Sequence, residues 1–299
     1  MLLHAHRPLY APHVPPVFAA TNRAGSVGKT SIGYNLCVQA ARRGWKVLFI
    51  DADLQSDASF WAGWDGDQLP KHVMTVHNVL LGEATLKDAM VPARTRIAPP
   101  NEKGEDPDSN FAIIDNLWLI RGDEKMSQAD TEMAQDPRSV WWLQRALRRG
   151  LQEGDFDFIW IDCPASLSLL SISLLLATTN VVLFSKPGRK EFRGIDAMIR
   201  RVAEIRDGYE ELNPSCEVTW YVLNETKATE TQGKFYTEKQ KEARIKYGDR
   251  VLGMVRGATV VPEAYDAQEP LSYWVAKHDT TLTIDAMLTR MGITDRLAA

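Results

Sequence analysis

The most diagnostic stretch of the chain is Asn22-Arg-Ala-Gly-Ser-Val-Gly-Lys-Thr-Ser31, which follows an apolar run over residues 14–20 and precedes a helical pattern. Its small residues let successive backbone N–H groups approach phosphate oxygens, and the start of the next helix adds unpaired donors and a positive dipole end. The pattern predicts a phosphate-binding loop in which Lys29 reaches the β- and γ-phosphates and Thr30 binds Mg²⁺. A glycine-rich turn between a strand and a helix is the structural alternative. The predicted phosphate-binding residues are Ala24, Gly25, Ser26, Val27, Gly28, Lys29, Thr30 and Ser31.

The segment after the loop supports a nucleotide site. Residues 32–44 place apolar side chains at helical spacing and end at a glycine suited to a C-cap. The apolar run 47–50 then predicts a buried strand with Asp51 and Asp53 at its carboxyl end. Because the order strand, loop, helix, strand brings such an end beside the loop, we expect both carboxylates near the phosphates. Simple solvation after a strand is the alternative for both.

A second apolar strand, residues 158–161, ends at Asp162. A carboxylate at this position has a direct use as a ligand of Mg²⁺, through water, with Thr30 as the complementary ligand. The alternative is a capping aspartate before the Cys163-Pro164 turn. The predicted metal ligands are Thr30, Asp51 and Asp162.

These motifs resemble the ParA/Soj/MinD family of ATPases, and most of all its short ParA members, which partition plasmids and chromosomes. Asp51-Ala-Asp-Leu-Gln55 matches the family pattern D-x-D-x-Q, and residues 156–170 resemble its Walker B segment. Further similarity occurs at residues 179–184, 221–226 and 261–271, so the resemblance covers roughly residues 17–275. It implies a P-loop NTPase fold of the deviant Walker A type, with a mostly parallel twisted sheet and helices on both faces.

The resemblance also implies roles for single residues and the cofactors ATP or ADP with Mg²⁺. Lys29 and Asp53 become catalytic residues, Asp53 by positioning the attacking water and Asp51 by supporting the magnesium shell. Asn224 lies where the family contacts the adenine edge, although an asparagine at a strand end is often only a turn residue. Residues 255–258 lack the proline and asparagine that relatives have beside the base.

One departure from the family concerns the loop itself. Ala24 stands at the position of the signature lysine, which reaches the phosphates of the partner subunit in a nucleotide-sandwich dimer. Arg23, one residue earlier, is the candidate replacement, because its longer side chain carries a fork suited to phosphate oxygens. Arg189 and Arg193 are reserve candidates in a basic segment that a solvated charge run would also explain. A dimer without this cation is the remaining alternative.

The composition permits one large α/β core. The chain has 299 residues, 44% of them hydrophobic and 25% charged, so we expect an N-terminal arm over residues 1–16, packed or disordered, and one ATPase domain over residues 17–299. Short helices are predicted at residues 76–81 and 86–91, a polar inserted loop near 98–110, a strand at 116–121, a helix at 139–151 and a C-terminal docking helix. The three widely spaced cysteines and the lack of a long apolar run favour a reduced cytoplasmic protein without a membrane span.

DNA binding is implied by the resemblance rather than by overall charge. A net charge of −4 gives no general attraction to phosphate backbones, so DNA contact requires a local patch. Asp279 lies near that patch where relatives often have a cation. The candidate DNA-binding residues are Arg244, Lys246, Arg250 and Lys277.

The implied function is that of a short ParA protein associated with the nucleoid. It would dimerise on ATP, bind DNA nonspecifically and hydrolyse ATP when stimulated by a centromere-binding, ParB-like adaptor. One alternative is a related ATPase that positions a protein cargo. Another, suggested by Ala24, is a nucleotide-gated binding module with negligible turnover.

Overall fold

The structure is a computed structural model, and it describes residues 2, 5–22, 25–64, 73–104, 106–166, 168–211, 213, 215–226 and 234–297. Its centre is one eight-stranded sheet with strand order β3-β4-β2-β5-β1-β6-β7-β8. All neighbouring strands are parallel except β3 and β4, which are antiparallel. The strands are β1 (Val17–Thr21), β2 (Val47–Asp51), β3 (Met90–Arg96), β4 (Phe111–Ile120), β5 (Phe158–Asp162), β6 (Asn180–Ser185), β7 (Glu217–Thr226) and β8 (Val251–Arg256).

Helices connect the parallel strands, because such strands need a long crossover connection that is usually an α-helix. Together with the sheet they confirm the predicted α/β fold. The helices are α1 (Lys29–Arg42), α2 (Asp57–Trp61), α3 (Val76–Leu81), α4 (Leu86–Ala89), α5 (Ala129–Met133), α6 (Trp142–Gly150), α7 (Leu169–Ala177), α8 (Arg189–Gly208), α9 (Lys234–Tyr247), α10 (Val260–Asp266), α11 (Leu271–Trp274) and α12 (Asp279–Arg290).

Apolar side chains cover both faces of the sheet, because the central strands are buried from end to end. On one face, α1, α2, α11 and α12 pack against residues such as Phe49, Trp160 and Phe184. On the other face, α3, α6 and α7 cover β2 and β5, while α8 and α9 cover β6 and β7. The predicted phosphate loop and the carboxyl ends of β2 and β5 therefore lie at the same edge of the sheet.

Glycines set both ends of α1. Gly28 precedes the helix with φ +87°, a left-handed conformation that favours glycine. Gly44 follows it with φ +82°, and its N–H donates to the Ala41 carbonyl at 2.9 Å, as in a glycine C-cap. The sequence pattern therefore predicted the end of α1 correctly.

Three predicted elements differ from the structure. The helix predicted at residues 86–91 ends at Ala89, and Met90 instead starts β3, an edge strand that the pattern did not indicate. The strand predicted at 116–121 is longer, since β4 begins at Phe111. Asn224 lies inside β7 rather than after its end, because this strand continues to Thr226.

The described part of the N-terminal arm packs along the amino edge of the sheet. The His6 N–H donates to Asn180 Oδ1 at 2.9 Å, and the Tyr10 hydroxyl donates to the Ala177 carbonyl at 2.9 Å. At the other end of the chain, α12 packs against α1 and β8. The cysteines Cys37, Cys163 and Cys216 are buried and unpaired. None of the helices among the described residues has the length and apolarity needed to cross a membrane.

Candidate nucleotide and magnesium site

The described part of the phosphate loop is fixed by a close approach to β7. A Cβ atom at Gly28 would lie 2.2 Å from Asn224 Nδ2, so a larger residue cannot fit without moving that side chain. Asn224 Nδ2 also donates to the Val27 carbonyl at 3.1 Å. Ser26 is left-handed, with φ +55°. The loop backbone is thus turned sharply toward the start of α1, where N–H groups remain free to bind an anion.

Lys29 and Thr30, the first residues of α1, place a side-chain amine and a hydroxyl next to the strand ends. Lys29 is only 6% exposed, and its charge counteracts the rise in the pKa of Asp162. Thr30 Oγ1 donates a short hydrogen bond to Asp162 Oδ2. The structure therefore brings these three predicted site residues together.

Asp51 and Asp162 are direct neighbours, because β2 and β5 pair in a register that places their last residues side by side. Both are fully buried. Each keeps one carboxylate oxygen, Oδ1, that has no hydrogen-bond partner within the described part of the chain. An unpartnered buried carboxylate oxygen is costly unless a cation or a proton satisfies it.

The pKa values of Asp51 and Asp162 reflect the same free-energy cost of burying a carboxylate. Burial raises the pKa of Asp51 to about 7, against the lowering effect of its hydrogen bonds from Ser59. Burial and the neighbouring Asp51 hold the pKa of Asp162 well above its usual range, although Thr30 and Lys29 oppose this. Without a cation, the pair therefore retains protons at pH values where exposed aspartates are ionised.

These residues fit a magnesium ion. Mg²⁺ prefers oxygen ligands, and one or two carboxylates with a P-loop hydroxyl and phosphate oxygens are a common protein environment for it. Thr30 and Asp162 supply the hydroxyl and one carboxylate beside the loop, while Asp51 adds negative charge next to Asp162. The orphaned Oδ1 atoms provide the donor capacity that this ion requires.

Ser59 is a supporting residue that the sequence did not reveal. Its N–H and Oγ both donate to Asp51 Oδ2, at 2.8 and 2.6 Å, and its Oγ accepts from the Gly122 N–H at 3.0 Å. Ser59 lies on the short helix α2, so this bond exists only because α2 folds back onto the end of β2. It fixes the side chain of Asp51 and leaves Oδ1 free.

Asp53 lies beside the phosphate loop rather than in the buried pair. It is half-buried, and its Oδ1 accepts from the Gln55 N–H at 3.1 Å. Together with residues 25–31 and 164–166, it lines a cleft of about 450 Å³. A carboxylate in this position faces the space where phosphates would lie.

A second cavity continues from the loop toward β7 and β8. It has a volume of about 770 Å³ and shares Ser26, Gly28 and Ser31 with the first cleft. Asn224 and residues 255–258 line it. The two cavities adjoin each other through these shared residues, and an extended ligand could occupy both.

Three arginines are the candidates for the cation that reaches the partner subunit. Arg23 and Ala24 lie outside the described residues. Arg189 and Arg193 are exposed on the first turns of α8, and neither has an ion pair within the described ranges.

The four cations predicted to bind DNA come from elements on both faces of the sheet. Arg244 and Lys246 lie on α9, on the sheet face that α8 also covers, whereas Lys277 precedes α12, which packs on the opposite face. Lys246 forms an ion pair with α8 at 2.5 Å, and Arg250 donates to a carbonyl of β7 at 3.2 Å. The assignment of these residues to DNA stays a prediction.

Comparison with known proteins gives relatives over most of the chain. Residues 16–218 match the AAA domain family. Chromosome partitioning protein ParA of Caulobacter vibrioides is 30% identical over 242 residues, 80% of this chain and 79% of that protein. A Cyanothece McdA–ATP complex has a TM-score of 0.73 at 19% identity, covering 94% of this chain and 98% of McdA. MinD of Pyrococcus horikoshii, complexed with Mg-ADP, has a TM-score of 0.66 at 21% identity, covering 95% and 98%.

Proposed function

Because the chain belongs to the ParA/Soj/MinD family of ATPases, we propose that it binds ATP with Mg²⁺, dimerises on the nucleotide and hydrolyses it to partition DNA. One observation carries the proposal. Lys29, Thr30, Asp51 and Asp162 converge from one loop and two strand ends, and two carboxylate oxygens there lack partners among the described residues. This is the arrangement that a phosphate-bound magnesium ion completes.

The chain's own residues divide the work of phosphoryl transfer to water. The loop N–H groups and Lys29 hold the phosphates and stabilise negative charge on them. Thr30, Asp162 and Asp51 would hold Mg²⁺, which would supply positive charge to offset the negative charge of the phosphates. Asp53, at the rim of the cleft, orients the attacking water.

Lys29→Ala tests nucleotide binding. The buried phosphates lose their main cation from the same subunit, so we expect ATP affinity measured by calorimetry to fall at least tenfold, and binding to be abolished in the extreme case. Lys46→Ala, a cation outside the site, is the matched control and should bind as the wild type. Unchanged ATP affinity in Lys29→Ala would refute the assigned loop.

Asp53→Ala separates binding from chemistry. We expect this variant to keep its ATP affinity and to lose most phosphate release, because the residue is assigned to the water and not to the nucleotide. An ATP-dependent dimer should then persist longer in sedimentation experiments. Wild-type turnover in the presence of DNA and an adaptor would contradict the role of Asp53.

Arg23→Ala tests the dimer. If Arg23 replaces the signature lysine, the variant should keep its affinity for ADP but lose ATP-dependent dimerisation and stimulated hydrolysis together. Removing one partner of a desolvated charge pair commonly costs about 2–5 kcal/mol. Arg189→Ala and Arg193→Ala serve as comparisons, since either would show the loss instead if its side chain were the partner-directed cation.

Positioning of a protein cargo is the second candidate, and the placement of the predicted DNA cations favours it. Two of the four cations are already engaged, and the set spans both sheet faces. Gel-shift measurements with random-sequence duplex DNA, ADP or ATP separate the two candidates. ATP-dependent binding with a steep salt dependence supports DNA partition, whereas equal, weak binding with either nucleotide supports a protein cargo.

A further inference from the structure

A groove far from the strand ends combines an apolar floor with a basic rim. It lies where α6 packs against α3 and α4, has a volume of about 530 Å³, and is called the α6 groove below. Gly150 permits the close packing, because a Cβ there would come within 2.8 Å of Leu86. Its apolar lining consists of Val79, Leu81, Ala84, Leu86, Trp142 and Ala146.

Helical spacing accounts for the groove's composition. Trp142, Arg145, Ala146 and Arg149 occupy positions i, i+3, i+4 and i+7 of α6, so they share one face of the helix. Apolar and basic side chains therefore alternate along one wall. Lys87 stands opposite, on α4.

The cations of this surface are unpaired. Lys87, Arg145 and Arg149 line the groove, and Arg148 lies next to them on α6 without lining it. None of the four has an ion pair or a side-chain hydrogen bond to any described residue. Two nearby carboxylates accept local hydrogen bonds from neutral groups. Asp88 accepts from the N–H and hydroxyl of Thr85 at the start of α4, and Glu83 accepts from the Asn78 amide at 2.8 Å.

Arg148 and Arg149 have a structural explanation, because cations near a helix C-terminus interact favourably with its dipole. That explanation does not extend to Arg145, which lies in the middle of α6, or to Lys87. Three unpaired lining cations against the carboxylates of Glu83 and Asp88 leave a small positive excess on a chain of net charge −4, which is a local reversal of sign. Such a reversal attracts a partner of opposite charge and fixes its orientation.

We propose that the α6 groove binds an acidic amphipathic segment of a partner protein, with apolar side chains on the floor and carboxylates on the rim. The apolar floor argues against DNA as the ligand, because phosphate groups make no favourable contacts with apolar side chains. Trp142, Val79 and Leu86 are at most 7% exposed, so Trp142 cannot stack on a base, and the accessible apolar surface of the floor comes from Leu81, Ala84 and Ala146. An apolar helix face flanked by acidic residues fits both features. The site is separate from the nucleotide cleft, so the proposal does not depend on ATP hydrolysis.

Selection from a random dodecapeptide library displayed on phage tests this surface. The wild-type protein is the bait, and counter-selection uses Arg145→Ser/Arg149→Ser. We expect enriched peptides to carry aspartate or glutamate together with apolar residues at spacings of three and four. By fluorescence anisotropy, a synthetic copy of the best peptide should lose at least tenfold in affinity for the double variant.

Lys190→Ser/Arg200→Ser is the matched control, because it removes the same charge from the exposed face of α8. It should bind the peptide within twofold of the wild type. Circular dichroism and ATP calorimetry establish that the groove variant is folded and binds nucleotide normally. If nucleotide binding fails in the wild type while the peptide still binds the groove, the proposed function fails and this inference stands.

Three outcomes would overturn the inference. The first is that no peptide distinguishes the wild type from the groove variant. The second is that random-sequence duplex DNA displaces the peptide and its own affinity depends on Arg145 and Arg149, which would make the surface a nucleic-acid site. The third is a change of oligomeric state in the groove variant by sedimentation, which would make a second copy of the chain the occupant.

Discussion

Asp51 and Asp162 share a buried environment at neighbouring strand ends, where Ser59 and Thr30 each satisfy one carboxylate oxygen and the two Oδ1 atoms have no partner among the described residues. Such a pair is unfavourable for the metal-free protein and useful for cation binding. The cost is part of the site, because a residue that binds Mg²⁺ strongly must not already be satisfied by neighbouring donors. Ser59 satisfies one oxygen of Asp51 and leaves the other free.

Asp51→Asn should stabilise the metal-free and nucleotide-free protein at pH 8 by roughly 1–3 kcal/mol. Burial raises the pKa of Asp51 to about 7, so the native state holds a proton that the unfolded state has released above about pH 4. The stability that the Asp51 carboxyl contributes is fully present below its pKa in the unfolded chain. It is lost as the pH rises through about 7. Asparagine has no such loss.

Urea unfolding of the wild type and Asp51→Asn at pH 5 and pH 8 checks this sign. Asp51→Asn should exceed the wild type in stability by less at pH 5 than at pH 8, because the destabilisation of the wild type grows with each pH unit between about 4 and 7. The same variant should bind Mg-ATP more weakly. A difference in stability that is equal at both pH values would show that the carboxyl group does not titrate as described.

Some residues of the site could be identified from the sequence, and others could not. Lys29, Thr30 and Asp162 follow directly from local patterns, a small-residue loop and an apolar strand with a terminal carboxylate. Ser59 could not be identified in this way, because its role depends on where α2 folds relative to β2. The α6 groove was equally hidden, since its cations come from two separate segments that only packing brings together.

Helix α1 and strand β5 determine the geometry of the site, because the first carries Lys29 and Thr30 and the second carries Asp162. Their separation is set by a glycine in the helix. A Cβ at Gly33 would lie 2.5 Å from Trp160 Nε1, and Trp160 is fully buried. The indole ring therefore fills the space that a side chain at position 33 would need.

Gly33→Ala should destabilise the protein by about 1–3 kcal/mol, because overpacking outweighs the helix propensity that alanine adds. It should also weaken ATP binding by moving α1 away from β5. Gly194→Ala on α8 is the matched control, since nothing lies within 4 Å of its added Cβ. That change should stabilise by up to about 1 kcal/mol. Chemical denaturation and calorimetry measure both effects, and a neutral Gly33→Ala would disprove the packing argument.

Elements with uniform burial were predictable, and the mixed edge strand was not. Strands β2 and β5 appear in the sequence as unbroken apolar runs, because both of their faces are covered. Strand β3 contains Pro92, Arg94 and Arg96, and its register with β4 shifts between Pro92 and Arg94. Proline and charge are typical of edge strands, and there they remove the periodicity that identifies a strand.

The whole molecule separates its functions along the strand direction. The carboxyl edge of the sheet carries the loop, the carboxylates and both nucleotide cavities. The amino edge is covered by the arm, through His6 at the start of β6 and Tyr10 at the end of α7. The contacts of the arm thus lie on one edge, and the proposed nucleotide site lies on the other.

Removal of residues 1–10 should therefore lower stability without changing nucleotide affinity. The deletion eliminates two hydrogen bonds between the His6 backbone and the side-chain amide of Asn180, at 2.9 Å each, and the bond from the Tyr10 hydroxyl. It also leaves part of the buried Asn180 amide without a partner. At about 1 kcal/mol for each net hydrogen bond, with the packing of Tyr10 added, the free energy of unfolding should fall by about 2–4 kcal/mol.

Calorimetry with ATP at a temperature where both forms remain folded provides the second measurement, and the affinity should match that of the full chain within a factor of two. Tyr10→Phe isolates one contact, and we expect it to cost about 1 kcal/mol, because the Ala177 carbonyl loses its donor. A truncated chain that stays folded but binds ATP poorly would mean that the two edges are coupled. The arm would then act on the nucleotide site and not only on the stability of the sheet.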